Sequence, residues 1–297
     1  MYINRKTKWS AFLLFLPFLI AFVLFWLIPF SFGVFTSLHQ YSVFAGNQGF
    51  VGLNNYQTLI QGDGVFGSRF YLGMGNTLIF VVFSVIPLVL ISLGLALTIH
   101  NLNGWVKNIF RTIFFISYGV SVTAVSSIFK WLFNGNGGYI NQLLSEVNLP
   151  AIQWLNQQPY AWAVIIVTTV WWTVGYNMIL FSNALDNLDP ALYEAASIDG
   201  ANAWDKFRHI TLPSIKNITM FVILTTVIAS FNLYGQSLLI TGGGPAQSTM
   251  SVIMVIQQTI FNQNNLGMGS AMAVLLGIII MLVSVIQLVV ERRGEQK

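Results

Sequence analysis

The sequence predicts an all-α membrane protein with six transmembrane helices. Of the 297 residues, 55% are hydrophobic and only 7% are charged, whereas soluble domains carry roughly 25% charged residues. So few charges cannot cover a water-facing surface, which indicates that lipid is the main solvent. A helix that crosses a bilayer needs about 20 mostly apolar residues. Such stretches lie near residues 10–35, 73–100, 108–133, 160–182, 215–240 and 268–290.

The basic residues predict how the spans are oriented. If both termini are cytoplasmic, eleven of the 13 basic residues lie inside, and only Arg69 and Lys130 lie outside. Loops that stay in the cytoplasm are enriched in Lys and Arg, so the opposite orientation is disfavoured. The inside set flanks helix ends, which indicates contact with anionic lipid headgroups rather than with nucleic acid. It consists of Arg5, Lys6, Lys8, Lys107, Arg111, Lys206, Arg208, Lys216, Arg292, Arg293 and Lys297.

The first apolar stretch has the basic flank of a signal peptide, because Arg5, Lys6 and Lys8 precede it. However, it exceeds the apolar length of about 7–15 residues that such peptides have, and no small-x-small cleavage pattern follows it. We therefore interpret it as a retained span. The loops between spans are short, so we expect residues 1–297 to form a single transmembrane domain.

The predicted cytoplasmic loop, residues 183–213, contains the signals of a short helix. Asp189 suits the N-cap position, Pro190 suits the first helical position, and Gly200 suits the left-handed residue that follows a helix. A second helical stretch is predicted over 203–209, and a proline at 213 is predicted to open the fifth span.

Small side chains follow Glu194 in this loop, at Ala195, Ala196 and Ser197. They would let another surface approach the backbone closely, while Glu194 offers a charge for a basic partner. On these residues alone, a plain connector that is capped for local stability remains an equally good interpretation.

The same loop resembles the EAA loop of ABC-importer permeases. The family pattern is E-A-A, three residues, Gly, nine residues and I-x-L-P. Here E-A-A stands at 194–196, Gly at 200 and I-T-L-P at 210–213. The resemblance implies a coupling helix that sits on a nucleotide-binding subunit. Its docking residues would be Tyr193, Glu194, Ala195, Ala196, Ser197, Asp199 and Gly200.

The resemblance covers residues 70–290 and implies a MetI-like ABC-importer permease core with cytoplasmic termini. Segment 241–249 resembles the T-x-G-G-P turn of carbohydrate permeases of the maltose, glycerol-phosphate and multiple-sugar type, and segments 133–141 and 171–178 resemble others of their motifs. One departure is Ser117, which stands where the third span usually carries a proline. It puts the usual kink there in question.

Polar and aromatic residues lie deep in the fourth and fifth spans, where they are unusual unless they line a cavity or an interface. Residues four apart share a helix face, which pairs Trp172 with Tyr176 and Asn232 with Gln236. Aromatic faces and amides suit a sugar. The predicted substrate pathway comprises Trp171, Trp172, Tyr176, Asn177, Asn232 and Gln236, with Ser117, Tyr118, Ser121 and Thr123 as further candidates. For each residue taken alone, packing between helices is the alternative.

The sequence lacks the residues that hydrolyse ATP. No Lys follows a Gly, so the phosphate-binding G-K-[ST] pattern is absent, as are H-E-x-x-H and G-x-S-x-G. There are no cysteines, and no carboxylate lies at the predicted mid-bilayer depth, where a proton or sodium relay would need one. We therefore expect no metal or cofactor on this chain, and we assign ATP and Mg²⁺ to a partner ATPase.

Together these features predict a non-enzymatic permease subunit of a binding-protein-dependent sugar importer, spanning the cell membrane several times. The implied partners are a second, homologous permease, two ATP-binding cassette subunits, an extracytoplasmic sugar-binding protein, a carbohydrate and the lipid bilayer. Three alternatives remain: a secondary carrier or channel that works without ATP, a membrane-embedded enzyme, and an ABC permease for amino acids, metals or phosphate.

Overall fold

The computed structural model describes the backbone of residues 5–295 and the side chains of residues 12–290. Over this range the chain is mostly helical and includes one antiparallel β-hairpin. Lys297, which contributes to the predicted orientation, and the ends of the predicted domain 1–297 lie outside the described residues.

Fifteen helices and two strands follow one another along the described chain. They are α1 (Arg5–Phe22), α2 (Ile28–Ser37), β1 (His39–Ser42), β2 (Gly46–Phe50), α3 (Asn54–Gln61), α4 (Gly64–His100), α5 (Gly104–Ile116), α6 (Val122–Leu132), α7 (Tyr139–Glu146), α8 (Tyr160–Asp186), α9 (Pro190–Ile198), α10 (Ala203–Lys206), α11 (Leu212–Ser214), α12 (Lys216–Phe231), α13 (Gly235–Ile240), α14 (Val252–Phe261) and α15 (Leu266–Glu295). Single π turns join α1 to α2 and α10 to α11.

Four helical stretches are long and apolar enough to cross a membrane, and two bent pairs bring the number up to six if each pair is one broken span. The continuous stretches are Phe12–Ser37, Gly64–His100, Tyr160–Asp186 and Leu266–Val290. The pairs are Gly104–Gly119 with Val122–Leu132, bent by 95°, and Ala203–Ser214 with Lys216–Phe231, bent by 66°.

Two of the six predicted spans, 108–133 and 215–240, contain a break within the helix. In the first, a 3-10 turn at Ser117–Gly119 interrupts the helix, and α6 restarts with Ser121 as its N-cap. The kink is therefore present although Ser117 replaces the proline. In the second, α12 ends at Phe231 and α13 begins at Gly235. Hydropathy does not reveal such breaks, because a broken helix can bury the same apolar residues as a continuous one.

One compact unit contains the described residues up to 71 and residues 255–279. In it, the Thr36 Oγ1 donates a buried hydrogen bond of 2.9 Å to the Ser270 Oγ. The Asn55 side chain donates to the carbonyl oxygen of Ser37 at 2.8 Å. Because a buried polar group must be paired, these bonds fix the register of the elements. The β1–β2 hairpin of this unit is an element that the all-α prediction did not include.

The second compact unit contains residues 72–254 and the described residues from 280 onward. Helix α8 is its central element and packs against α5, α6, α12 and α13. A cluster of buried side chains surrounds the first half of α8, consisting of Phe80, Val164, Ile165, Leu233 and Ile240. Both candidate sites described below lie within this unit.

Candidate functional site

A cavity of about 490 Å³ lies between α4, α6, α8 and the α12–α13 break. This volume falls in the range of roughly 300–1,000 Å³ that is usual for small-molecule sites. The residues that line it are uncharged and combine aromatic rings, hydroxyls and amides. The aromatic and polar ones are Phe80, Tyr118, Thr169, Trp172, Thr173, Tyr176, Asn177, Thr225, Thr226, Ser230, Asn232, Tyr234 and Gln236.

The break between α5 and α6 forms one wall of this cavity, and α8 stabilises it through hydrogen bonds. The indole N–H of Trp172 donates to the carbonyl oxygen of Val120 at 2.9 Å. The buried Ser117 hydroxyl lies 3.0 Å from the carbonyl oxygen of Phe114 and 3.2 Å from that of Trp172. Backbone groups that a helix break releases must find partners in a membrane. Helix α8 supplies these partners, so the break is a stable part of the fold.

A pair of stacked rings faces the cavity. Tyr118 and Tyr176 lie 5.1 Å apart between ring centroids, with an angle of 22° between their planes. Both rings remain partly exposed. The sequence placed Tyr176 on the pathway and named Tyr118 only as a further candidate, and the structure brings the two together.

Asn177 has a structural role in addition to lining the cavity. Its side chain is 3% exposed, and its amide donates to the Thr226 Oγ1 of α12 at 3.0 Å. This bond joins α8 to α12. For Asn177, therefore, the structure supports the packing alternative that the sequence left open.

The predicted pairing of Asn232 with Gln236 on one helix face is wrong, because α12 ends at Phe231, before the first of them. Both residues nevertheless line the cavity. The Asn232 amide donates to the carbonyl oxygen of Ile228 at 2.9 Å, which covers one of the last carbonyls of α12. The helix ends here, and the two amides therefore lie on either side of the break.

Trp171 does not line the cavity, in contrast to its predicted place on the pathway. Its ring is 49% exposed and contacts the ring of Phe129, with 5.4 Å between centroids. Neighbouring residues of a helix point about 100° apart, so a pathway that includes Trp172 turns Trp171 away.

The second candidate site is the loop between α8 and α12, and its first helix begins and ends as predicted. The Asp189 side chain accepts from the backbone N–H of Ala191 at 2.9 Å, and Pro190 is the first residue of α9. Gly200 has φ of +78°. The N–H of Ala201 donates to the carbonyl oxygen of Ala196 at 2.9 Å, as in a Schellman motif. The helix is therefore defined by its own sequence.

Hydrogen bonds tie α9 to the segment that follows it. The Tyr193 hydroxyl lies 2.8 Å from the Thr211 Oγ1, and the Lys206 Nζ donates to the Ser197 Oγ at 2.7 Å. Asn202 and Asp205 form a capping box at the start of α10. These bonds make the loop a braced unit rather than a flexible connector.

Five of the seven predicted docking residues are exposed, and Tyr193 and Ala196 are half-buried. Four large apolar side chains of the loop are also exposed, none of which was among the predicted docking residues. They are Leu192, Ile198, Trp204 and Leu212, of which Ile198 is 88% exposed. Large apolar side chains grouped on one exposed segment are typical of protein interfaces. In the sequence, the signal for this surface was that Leu192 and Ile198 lie within about one helical turn of the small residues at 195–197.

A cluster of charges lies where the loop leaves α8. Asp186 accepts from the Lys107 Nζ at 2.5 Å, from an Arg111 N–H at 2.6 Å and from the His100 ring at 3.2 Å. Arg111 also donates to the Ser182 hydroxyl. One carboxylate thus joins the ends of α4 and α8 to α5. Among the described side chains, residues 12–290, no group of three or more His, Asp or Glu is placed to hold a metal ion.

We expect Asp186→Asn to lower the stability of the permease fold. The side chains of Lys107 and Arg111, which bond this carboxylate, are mostly buried, so neutralising it leaves them poorly compensated. Asp186 itself is partly exposed, which limits the loss to about 1–2 kcal/mol. Thermal unfolding in detergent measures this, and about 1 M NaCl should shrink the difference from wild type. Glu146→Gln, at an exposed position at the end of α7, is the matched control. Equal effects of the two variants would contradict the assignment.

Comparison with known proteins identifies the family. The profile of the family "Binding-protein-dependent transport system inner membrane component" matches residues 88–295, which is more than half of the chain. The chain belongs to this family. The matched region of the permease includes α8, the loop that follows it, and most of the cavity.

Two relatives cover nearly the whole permease. It is 31% identical over 297 residues to "Probable ABC transporter permease protein YurN" of Bacillus subtilis, with 99% of each chain covered. It is 30% identical to "Arabinooligosaccharides transport system permease protein AraP" of the same organism, over 95% of this chain and 88% of the relative. A permease from the crystal structure of a bacterial alginate ABC transporter has a TM-score of 0.82 at 21% identity and covers 97% of this chain and 96% of its own, which shows the shared fold.

Proposed function

We propose that this permease forms half of the translocation pathway of an ABC importer for a neutral sugar or oligosaccharide. The observation that carries this proposal is the cavity between the two broken spans, whose lining is uncharged yet rich in rings, hydroxyls and amides. Its second half would come from a homologous permease.

The chemistry of the cavity favours a neutral ligand with many hydroxyls. Moving a carboxylate or ammonium group into an uncharged cavity costs several kcal/mol unless an opposite charge meets it. A hydroxyl, in contrast, can exchange its water for the amides of Asn232 and Gln236. The Tyr118–Tyr176 pair offers apolar ring faces to the C–H surface of a sugar. The arabino-oligosaccharide permease among the relatives adds support for this class of substrate.

The braced loop supports the coupling part of the proposal. ATP would bind to two cytoplasmic cassette subunits with Mg²⁺, and one of them would contact α9 through the seven residues 193–197, 199 and 200. Closure of the ATPase dimer would move the loop as one body and so act on α8 and α12, to which it is joined. The ATPase dimer can shift the permease between two conformations only by binding one of them more tightly than the other.

The same proposal places the chain in the cell membrane as one transmembrane domain with both termini in the cytoplasm. Lys107 and Lys206 support this orientation, because both line a cavity of about 780 Å³ beside Glu194 and the start of the loop. They therefore share one face of the fold with the docking segment, as the positive-inside rule requires. An extracytoplasmic binding protein would deliver the sugar at the opposite face.

Reconstitution tests the proposed function. The permease would be co-purified with the chains that accompany it and placed in proteoliposomes with ATP inside or outside. We expect uptake of a neutral oligosaccharide only when ATP is present on the cassette side and the binding protein on the other. Uptake by the permease alone without ATP would indicate a secondary carrier. ATP-driven uptake of amino acids, but of no sugar, would refute the substrate class while keeping the importer.

The cavity itself is tested by Tyr176→Ala and Asn232→Ala. Each removes one contact to the sugar, and a neutral hydrogen bond or ring contact contributes about 0.5–1.5 kcal/mol, so we expect apparent KM for uptake to rise roughly 2- to 10-fold for each. Trp172→Ala should lower the amount of folded protein as well, because the indole also holds Val120. Trp171→Ala is the matched control, an aromatic residue one position away that does not line the cavity. If uptake is unchanged in the Tyr176 and Asn232 variants, these side chains serve packing only.

A further inference from the structure

The β1–β2 hairpin lies beside the ends of two membrane-spanning helices. Strand β1 begins at His39, two residues after α2 ends at Ser37. Ser42 forms an isolated bridge with Asn265, which directly precedes α15. The N–H of Val43 donates to the carbonyl oxygen of Asn264 at 3.3 Å. The hairpin is therefore held at the level at which two spans leave the bilayer.

Ring contacts place the hairpin alongside α2 rather than beyond it. Tyr41 meets Phe32 edge to face, with 5.9 Å between centroids, and His39 lies 4.1 Å from Phe35 and 5.2 Å from Phe50. Phe32 is five residues before the end of α2, which corresponds to about 7 Å along the helix axis. The ring of Tyr41 thus reaches back to the depth of the last turn and a half of a span.

The hairpin carries large apolar side chains that remain exposed in the described chain. At its tip, Phe44 is 84% exposed and Val43 41%, and at its base Phe50, which pairs with His39, is 71% exposed. The backbone N–H groups of Phe44 and Ala45 both donate to the Ser42 hydroxyl, at 3.3 and 3.2 Å. This bonding gives the tip a defined shape, so the exposure of Phe44 is a property of the fold.

The segment around the hairpin also lacks formal charge. Between Lys8 and Asp63 the sequence contains no Asp, Glu, Lys or Arg. A surface that binds a soluble protein usually has a polar, partly charged rim around its apolar centre. A Tyr such as Tyr41 at the end of a span is instead typical of the headgroup region of a bilayer, where its ring finds apolar and its hydroxyl polar surroundings. Phe rings next to it can turn toward the acyl chains.

We propose that the β1–β2 hairpin is a lipid-binding element that lies in the headgroup region of one leaflet, with the rings of Phe44 and Phe50 inserted toward the acyl chains. The occupant of the exposed tip is the lipid surface itself. The hairpin then fixes how deeply α2 and α15 sit in the bilayer, because it is bonded to both. This inference does not depend on the substrate or on the ATPase.

The absence of cysteine in the sequence makes the test direct. Phe44→Cys would carry a nitroxide spin label in the full importer, in phosphatidylcholine–phosphatidylglycerol nanodiscs. Power saturation compares collisions with oxygen, which concentrates in lipid, and with a water-soluble nickel chelate. Gln57→Cys, at an exposed position of α3, is the aqueous control. We expect the oxygen-to-nickel ratio to be several-fold higher at position 44 than at position 57.

Two results would overturn the proposal. Equal ratios at the two positions would place the tip in water. Low collision rates with both reagents at position 44 would place it beneath a protein, such as the binding protein or the second permease. If the Phe44 variant does not remain monodisperse, Ala45→Cys gives the same reading from the adjacent exposed residue. A nitroxide-labelled lipid that quenches a fluorophore on the same cysteine provides an independent second measurement.

Discussion

Replacing Ile198 by aspartate is expected to reduce ATP-driven uptake at least about tenfold while leaving the permease folded. Ile198 is the last residue of α9 and is 88% exposed, more than any other large apolar side chain of the loop. If a cassette subunit covers it, the substitution places an unpaired carboxylate in an apolar contact. Such a charge costs roughly 2–5 kcal/mol, which corresponds to about 30-fold weaker binding or more.

The expected stability of this variant separates docking from folding. An exposed side chain that contacts little else contributes little to the free energy of unfolding, so the thermal midpoint of the isolated permease should not change. Co-purification of the ATPase and uptake should both fall. Ile198→Val, which keeps an apolar surface at the same position, is the matched control and should behave as wild type. Normal ATPase binding by the aspartate variant would remove Ile198 from the docking surface.

Glu194 and Gly200, the two docking residues singled out by sequence pattern, need a different design. Gly200 has φ of +78°, so any side chain there strains the backbone even though a Cβ would meet nothing within 4 Å. Asn tolerates this conformation better than other residues, so Gly200→Asn adds bulk at low cost in folding. Glu194→Arg reverses the exposed charge. We expect the double variant to lose ATPase coupling, and retention of full uptake would contradict the docking assignment.

The loop could be predicted from sequence because its determinants are local. Asp189 caps the helix from one residue before its first turn, and Gly200 ends it two residues after its last position. Both signals act over a few residues and do not depend on the rest of the fold. The six apolar segments were predictable for a similar reason, since the thickness of the bilayer sets their length.

The cavity could be predicted only in part, because the helix breaks that shape it depend on contacts distant in sequence. The carbonyl oxygen of Val120, in the break between α5 and α6, accepts from the indole of Trp172, which is some 50 residues away. At the other break, a Cβ at Gly235 would lie only 2.9 Å from a methyl of Val122. Helical periodicity carries no information about either contact, so Asn232 and Gln236 were identified by residue type, whereas their shared helix face was wrong.

We expect the largest loss of stability from Gly175→Val, because Gly175 makes the tightest helix contact that the structure describes. Gly175 lies in the middle of α8, and a Cβ there would overlap the carbonyl group of Phe114 in α5 and lie 2.8 Å from the Phe115 Cα. These are backbone atoms, so no side-chain rotation relieves the overlap. Small residues permit this kind of close approach between helices in membranes.

Separating α5 from α8 would disturb more than one contact. The same helix pair is also joined by Arg111, which donates to Ser182 and Asp186, and the break that follows α5 is joined to α8 by the Trp172 bond to Val120. A shift that accommodates a valine at 175 would therefore weaken the ion cluster and the cavity wall together. We expect a loss of about 3 kcal/mol or more, at the upper end of what overpacking costs.

Thermal unfolding and the yield of monodisperse protein measure the effect of Gly175→Val. Gly94→Ala in α4 is the matched control, because it adds a methyl to an exposed helical glycine where a Cβ would meet nothing within 4 Å. Helix propensity favours alanine over glycine by about 1 kcal/mol, so the control should be neutral or slightly stabilising. The decisive comparison is Gly175→Ala: if one methyl already lowers the midpoint, the backbone contact is limiting. If even valine is tolerated, α5 and α8 do not approach as closely as the structure shows.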